Sequence, residues 1–241
     1  MQMLSSDLIS ELLLGMRLDG LHYNRIQISP PFGVRFGEDP TRAQFHFIAR
    51  GRVYLRTDSG VVHTLEAGDA VLLPRGGIHA LLSDPSIPCL DVTDYSVTTI
   101  CRRVDDIHAC KAEQCRSTDT LIFSGCMEFD LGGMHPLVSM MPEVMQVGTL
   151  IDRNPELLPV LEAMAREVST ERAGFAGILT RLADVVSASI VRDWVECGCG
   201  DAQGWVEALR DPRMGRVIAA IHRDPGRNWT VEMMASEMGS S

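Results

Sequence analysis

The sequence predicts an α+β chain in which a small β-sandwich or barrel comes first and helices follow. Three observations carry this. Short β-branched and aromatic runs recur at even spacing through the first third, punctuated by Gly and Pro. Near residue 150 the apolar period changes from two to about 3.6. The 241 residues, 45% hydrophobic and 22% charged, are enough for a sizeable core.

The opening stretch carries an apolar run, but Asp7 and Glu11 interrupt it and no basic segment precedes it. It reads as an amphipathic helix rather than a secretory signal, and the cytosol is the expected compartment. Strands are expected at residues 44–48, 52–57, 61–65, 70–73 and 78–82. Asp58-Ser59-Gly60, Ala67-Gly68-Asp69 and Pro74-Arg75-Gly76-Gly77 form the turns between them. Asn154-Pro155-Glu156 opens the helical part with an N-cap amide and a proline at the first helical position. Leu157, Val160, Leu161, Met164 and Val168 then keep helical spacing. A longer helix follows, with Phe175, Ile178, Leu179, Leu182, Val185, Val186, Ile190 and Trp194 on one stripe. It is expected to stop at the glycines of Cys197-Gly-Cys-Gly200. Asp211-Pro212 opens a third helix. Thr230 caps a fourth, with Val231, Met234, Ala235 and Met238 facing inward and Gly239 ending it.

A net charge of -10 argues against the whole chain acting as a polycation on nucleic acid, while leaving room for a locally basic module. No run approaches the roughly 18 to 20 apolar residues of a membrane span. Seven cysteines are an odd number, and without a secretory signal they read as thiols rather than a disulfide framework.

The segment Gly68-(DAVLL)-Pro74-Arg75-Gly76-(GI)-His79 fits the pattern G-x5-P-x-G-x2-H position by position. It resembles the second conserved motif of the cupin superfamily. The resemblance implies a barrel corner at Pro74 and Gly76, with His79 opening the next strand. In the first cupin motif, metal enzymes carry two histidines and a glutamate. Here the expected glutamate falls at Gln44 and no His-x-His pair precedes it, while His46 shares a strand face with Gln44. Gln44, His46 and His79 are therefore read as contacts for a small-molecule effector. A weak transition-metal site on the two imidazoles is the alternative.

The tail Trp229-Thr-Val-Glu-x-x-Ala235-x-x-x-Gly239-x-Ser241 resembles the opening of the helix-turn-helix module of AraC-type bacterial transcription regulators. Ser240 departs from the methionine usual there. The cupin-like segment, Gly125-Cys126-x-x-Phe129-Asp130 and Leu182-Ala-Asp…Arg192-Asp-Trp194 fit the branch with an N-terminal cupin sensor. The resemblance implies a ligand-sensing barrel over residues 1–140, a helical linker and dimerisation region over 141–210, and the start of a DNA-binding module over 211–241. The sequence stops at Ser241, inside the first helix-turn-helix. The expectation is that the chain as given lacks the recognition helix and cannot bind specific DNA alone. Arg213, Arg216 and Thr230 are the candidate DNA contacts, in a basic strip that reads equally as solvated helix faces.

His108, Cys110, Cys115 and Cys126 are a candidate zinc set, since Cys-x4-Cys falls within zinc-ligand spacing. Lys111 and Arg116 beside them keep a redox-sensing dithiol open, as are incidental loop thiols. Met134, Met140, Met141 and Met145 read as seam filling or as a pocket lining. By resemblance the 175–194 stripe packs against its copy in a homodimer, and pairing with residues 156–168 is the intramolecular alternative. The functional expectation is a non-enzymatic regulator switched by a small effector. A small metal-dependent cupin enzyme is the rival.

Overall fold

The computed structural model describes residues 17–37, 42–110, 118–130, 138, 140–148, 151–197, 211–224 and 226–239. The chain forms two compact units. The first holds residues 18–129 and 142–190, so the first helix of the tail and most of the second share a unit with the strands.

Among the described residues, twelve strands build that unit: β1 (Arg17–Ile28), β2 (Gly33–Phe36), β3 (Ala43–Arg50), β4 (Val53–Thr57), β5 (Val62–Leu65), β6 (Ala70–Leu73), β7 (His79–Leu82), β8 (Leu90–Asp91), β9 (Val97–Cys101), β10 (Val104–Ala109), β11 (Thr120–Asp130) and β12 (Met145–Gln146). They form a seven-stranded sheet in the order β12-β6-β3-β11-β1-β10-β9 and a five-stranded sheet in the order β5-β4-β7-β2-β8. The pairs β1–β10 and β2–β8 are parallel, and β9–β10, β3–β11, β6–β12, β2–β7, β3–β6, β4–β5 and β4–β7 are antiparallel.

Ile26, Ile28, Ile48, Val71, Ile107 and Ile122 of the larger sheet meet Val34, Phe36, Val53, Leu55, Leu65 and Leu81 of the smaller one in a single buried core. Because side chains alternate along a strand, the residues between them point the other way. On the larger sheet those residues are also buried: Tyr23, Phe45, Phe47 and Phe123 are at most 1% exposed. Helices cover them. The first, α1 (Leu158–Thr170), lies against β3 and buries Leu161, Met164 and Val168. The second, α2 (Phe175–Cys197), reaches β1 and β11: Tyr23 Oη donates to Asp184 at 3.5 Å, and Ser187 Oγ lies 3.9 Å from Met127 Sδ. Burial on both faces explains why β6 reads as a continuous apolar run rather than an alternating one. Room for the Tyr23 ring, stacked on Phe123 at 5.2 Å, depends on Gly125, where an added Cβ would sit 2.6 Å from that ring.

Arg25, on the same outer face of β1, is 5% exposed. Its Nε donates to the Val168 carbonyl at 3.0 Å, one Nη to Asp106 at 2.7 Å, and the other meets Glu171 at 2.6 Å. Glu171 follows α1 in the left-handed region (φ 48°) and turns the chain toward α2. One guanidinium thus fastens the helical hairpin to the sheet, placing a cation at the carbonyl end of α1.

Three expectations need correction. Asn154 does not cap a helix with its side chain; Pro155–Leu157 form a 3-10 turn and the α-helix starts at Leu158. On α2, Ile178 and Val185 are 45% and 50% exposed, so the apolar stripe divides into a buried row and an outward one. Val231, expected inside, is 77% exposed.

In the second unit, Asp211 caps α3 (Pro212–Arg223), accepting from the Arg213 and Met214 amides. Thr230 caps α4 (Val231–Glu237), accepting from Met233. Arg216 donates to the Met238 carbonyl at 3.2 Å, so α3 clasps the end of α4. Gly239 follows with φ +71°, a left-handed ending that glycine adopts without strain. No helix among the described residues is long and apolar enough to cross a membrane.

Candidate functional site

Alternation along β3 puts Gln44 and His46 on the same side as Ile48, facing the interior, and His79 shares the inner side of β7 with Leu81. The structure brings the two imidazoles together: His46 Nε2 lies 2.7 Å from His79 Nε2, linking the larger sheet to the smaller one. His46 is 0% and His79 2% exposed, and Phe36 stacks on His79 with centroids 5.5 Å apart. Gln44 is 7% exposed.

Neighbouring atoms fix every proton in this pair. His79 Nδ1 lies 2.7 Å from the Gly77 carbonyl, which can only accept, so this nitrogen carries the hydrogen. In a neutral ring Nε2 of His79 is then the acceptor. His46 therefore donates from Nε2, and its Nδ1 accepts from Ser124 Oγ at 2.8 Å. The chain runs Ser124 to His46 to His79 to Gly77, and all four ring nitrogens are committed. Gly77 aims its carbonyl from φ +90°, in the left-handed region. Burial, then the proximity of His79, pushes His46 well below its ordinary pKa. Burial pushes His79 down to about 4, against the opposing bond to Gly77. Both rings are neutral at neutral pH.

These donors do not fit the metal that cupin enzymes carry. The two imidazoles are spent on each other, and no cluster of three or more His, Cys, Asp or Glu able to hold an ion occurs among the described residues. Cys115 lies outside the described residues. Of its expected partners, His108 sits on the exposed outer face of β10, and Cys110 Sγ approaches the Gln27 carbonyl at 3.7 Å. Cys126 lies on the inner face of β11, with β1 between it and β10. Those three are not gathered. In the second unit, Thr230 and Arg216 are engaged at the two ends of α4, and Arg213 is exposed beside the Asp211 cap.

Two features went unread in the sequence. Ser124 is set opposite His46 only by the β3–β11 register, across 78 residues. A half-open groove of about 540 Å3 lies where β1 and β10 of one sheet meet β2 and β8 of the other, lined by Ile28, Phe32, Pro88, Leu90, Tyr95 and neighbouring residues.

Comparison with known proteins agrees with this architecture. The family described as Cupin matches residues 7–196. HTH-type transcriptional regulator AlkR of Acinetobacter baylyi is 27% identical over 80% of this chain and 62% of its own length. A putative AraC-like transcription regulator of Streptomyces lividans is 25% identical over 85% of this chain and 64% of its own. The chain thus spans just under two thirds of these relatives. The crystal structure of ToxT from Vibrio cholerae O395 aligns over 95% of this chain and 71% of that one, at 10% identity and a TM-score of 0.36, too low to bear on detail. The chain belongs to the cupin family, and its relatives in sequence are AraC-like and helix-turn-helix-type transcription regulators.

Proposed function

We propose that the chain is the effector-sensing and dimerising part of an AraC-type regulator. The sheet unit takes up a small molecule, α2 pairs with its copy, and the pair sets the placement of the DNA-binding module that begins at residue 211. The relatives named as regulators support this reading, as does the way α2 is built. The observation that carries it is the division of α2 into two rows. Leu179, Val186 and Ile190 are buried, while Ile178 and Val185, at i and i+7, face outward with half-buried Leu182 between them. An outward apolar row at this spacing suits a second helix of the same kind. In this scheme an effector acts by binding one arrangement of sheet and helices better than another.

Sedimentation of the purified chain tests it. A dimer is expected at micromolar concentration, and V185E should weaken it by about tenfold or more while leaving the helical circular dichroism unchanged. A chain that stays monomeric at high concentration, or a dimer indifferent to V185E, would remove the reading.

A further inference from the structure

The groove at the edges of the two sheets has the makings of a binding site. At about 540 Å3 it falls inside the range of roughly 300–1,000 Å3 typical of small-molecule pockets. Its walls are held by the protein's own hydrogen bonds. Ser83 N donates to the Phe32 carbonyl at 2.9 Å and Ser83 Oγ accepts from Phe32 N at 2.9 Å. Ile87 N donates to the Asp84 carbonyl at 3.2 Å, and Ser29 N donates to that of Ala109 at 3.3 Å. A site already held in shape spends little affinity on ordering itself. Gly33 lets the strap through Pro88 approach β2 closely; a Cβ there would meet the Pro88 carbonyl at 2.6 Å.

The chemistry of the lining is narrow. None of the described lining residues is charged. The Ser29 hydroxyl already donates to Asp119 at 2.7 Å. The Tyr95 hydroxyl makes a long bond of 3.4 Å to the Gly33 carbonyl, so it can turn to another acceptor at little cost. Burial, then Cys89 and Asp94, hold that phenol above its usual range, so it stays a neutral donor. Two acidic side chains, Asp119 on Ser29 and Asp94 beside Tyr95, stand at the polar edge. Arg35 nearby is bound to Asp91 at 3.1 Å. An anion entering here would lose its hydration, face carboxylates and meet no cation among the described lining residues.

We propose that this groove is the effector site, built for an uncharged, largely apolar small molecule with at most one hydrogen-bond acceptor, which Tyr95 would bind. The assignment rests on the sensing role proposed above and adds where and what the chain senses. It also separates the effector from the histidine pair, whose ring nitrogens have no bond left to offer.

A matched pair of fluorescent probes tests it on the full chain: N-phenylnaphthylamine, which is neutral, and anilinonaphthalene sulfonate, which adds one negative charge to the same rings. The neutral probe should bind at least about tenfold more tightly. L90D, at a rim position that is 60% exposed, should weaken it by about fivefold or more without lowering the melting temperature. I87D, also in the lining, should do the same, and serves if L90D misfolds. Equal affinities for the two probes, or unchanged affinity in both variants, would overturn the site. Sedimentation with and without the neutral probe separates the two proposals. Binding that meets both expectations but leaves the association of the chain unaltered keeps the site and removes the sensing role.

Discussion

The two faces of the seven-stranded sheet solve one problem in opposite ways. Each buries a strongly polar group. Inside, His46 and His79 do so by giving up their charge, with each ring nitrogen matched to one partner. Outside, Arg25 keeps its charge and gathers a carbonyl and two carboxylates around it. The inner solution is closed and joins sheet to sheet. The outer one reaches into solvent through Glu171, 55% exposed, and joins sheet to helix. The difference teaches that neutral burial makes a joint sensitive to acid, whereas charged burial makes one sensitive to loss of a partner.

Acid should produce the largest effect. The folded pKa of each histidine lies below its unfolded value near 6.5, so on acidification the unfolded chain takes up protons first. Full stability is present above that value and is lost as pH falls toward about 4. His79 alone accounts for something on the order of 3 kcal/mol. Urea titrations at neutral and mildly acidic pH would show it, and the H46L/H79L double variant should flatten the slope. An unchanged slope in that variant would break the contrast.

R25M comes next, at about 2–3 kcal/mol, because it strands the Val168 carbonyl and a half-buried Asp106. Hydrogen exchange should show the loss concentrated at the end of α1. H79L leaves the His46 Nε2 hydrogen without an acceptor and should cost about 2 kcal/mol, and adding H46L should cost less than the sum of the two single changes. A double-mutant cycle by chemical denaturation checks this. E171Q should be the mildest, under about 1 kcal/mol, since its ion pair is largely solvated. A larger loss would mean that the outer joint depends on its exposed partner rather than on Asp106 and the Val168 carbonyl.

What could be read from the chain itself followed from local rules. Strands β3 to β7 announced themselves by β-branched runs between Gly and Pro turns. Asp211 and Thr230 cap as expected because a cap needs only the next three residues. The inward aim of His46 and His79 follows from alternation. Their mutual bond does not, since it joins different sheets across 33 residues. Strand β1 escaped notice because Arg25 and Gln27 look like a solvated face; only the helices overhead bury them. The split of α2 was hidden for the converse reason: Ile178 and Val185 carry the same apolar character as the buried row, and nothing local says which of them the sheet will cover.

Strand β1 has one more consequence. Three residues, about 10 Å of extended backbone, separate the arginine that holds the hairpin from Ile28 in the groove wall. Cargo lodged at that edge and the anchor of the helices therefore sit on the same stiff rod. A nudge at one end has no slack loop to absorb it before it arrives at the other.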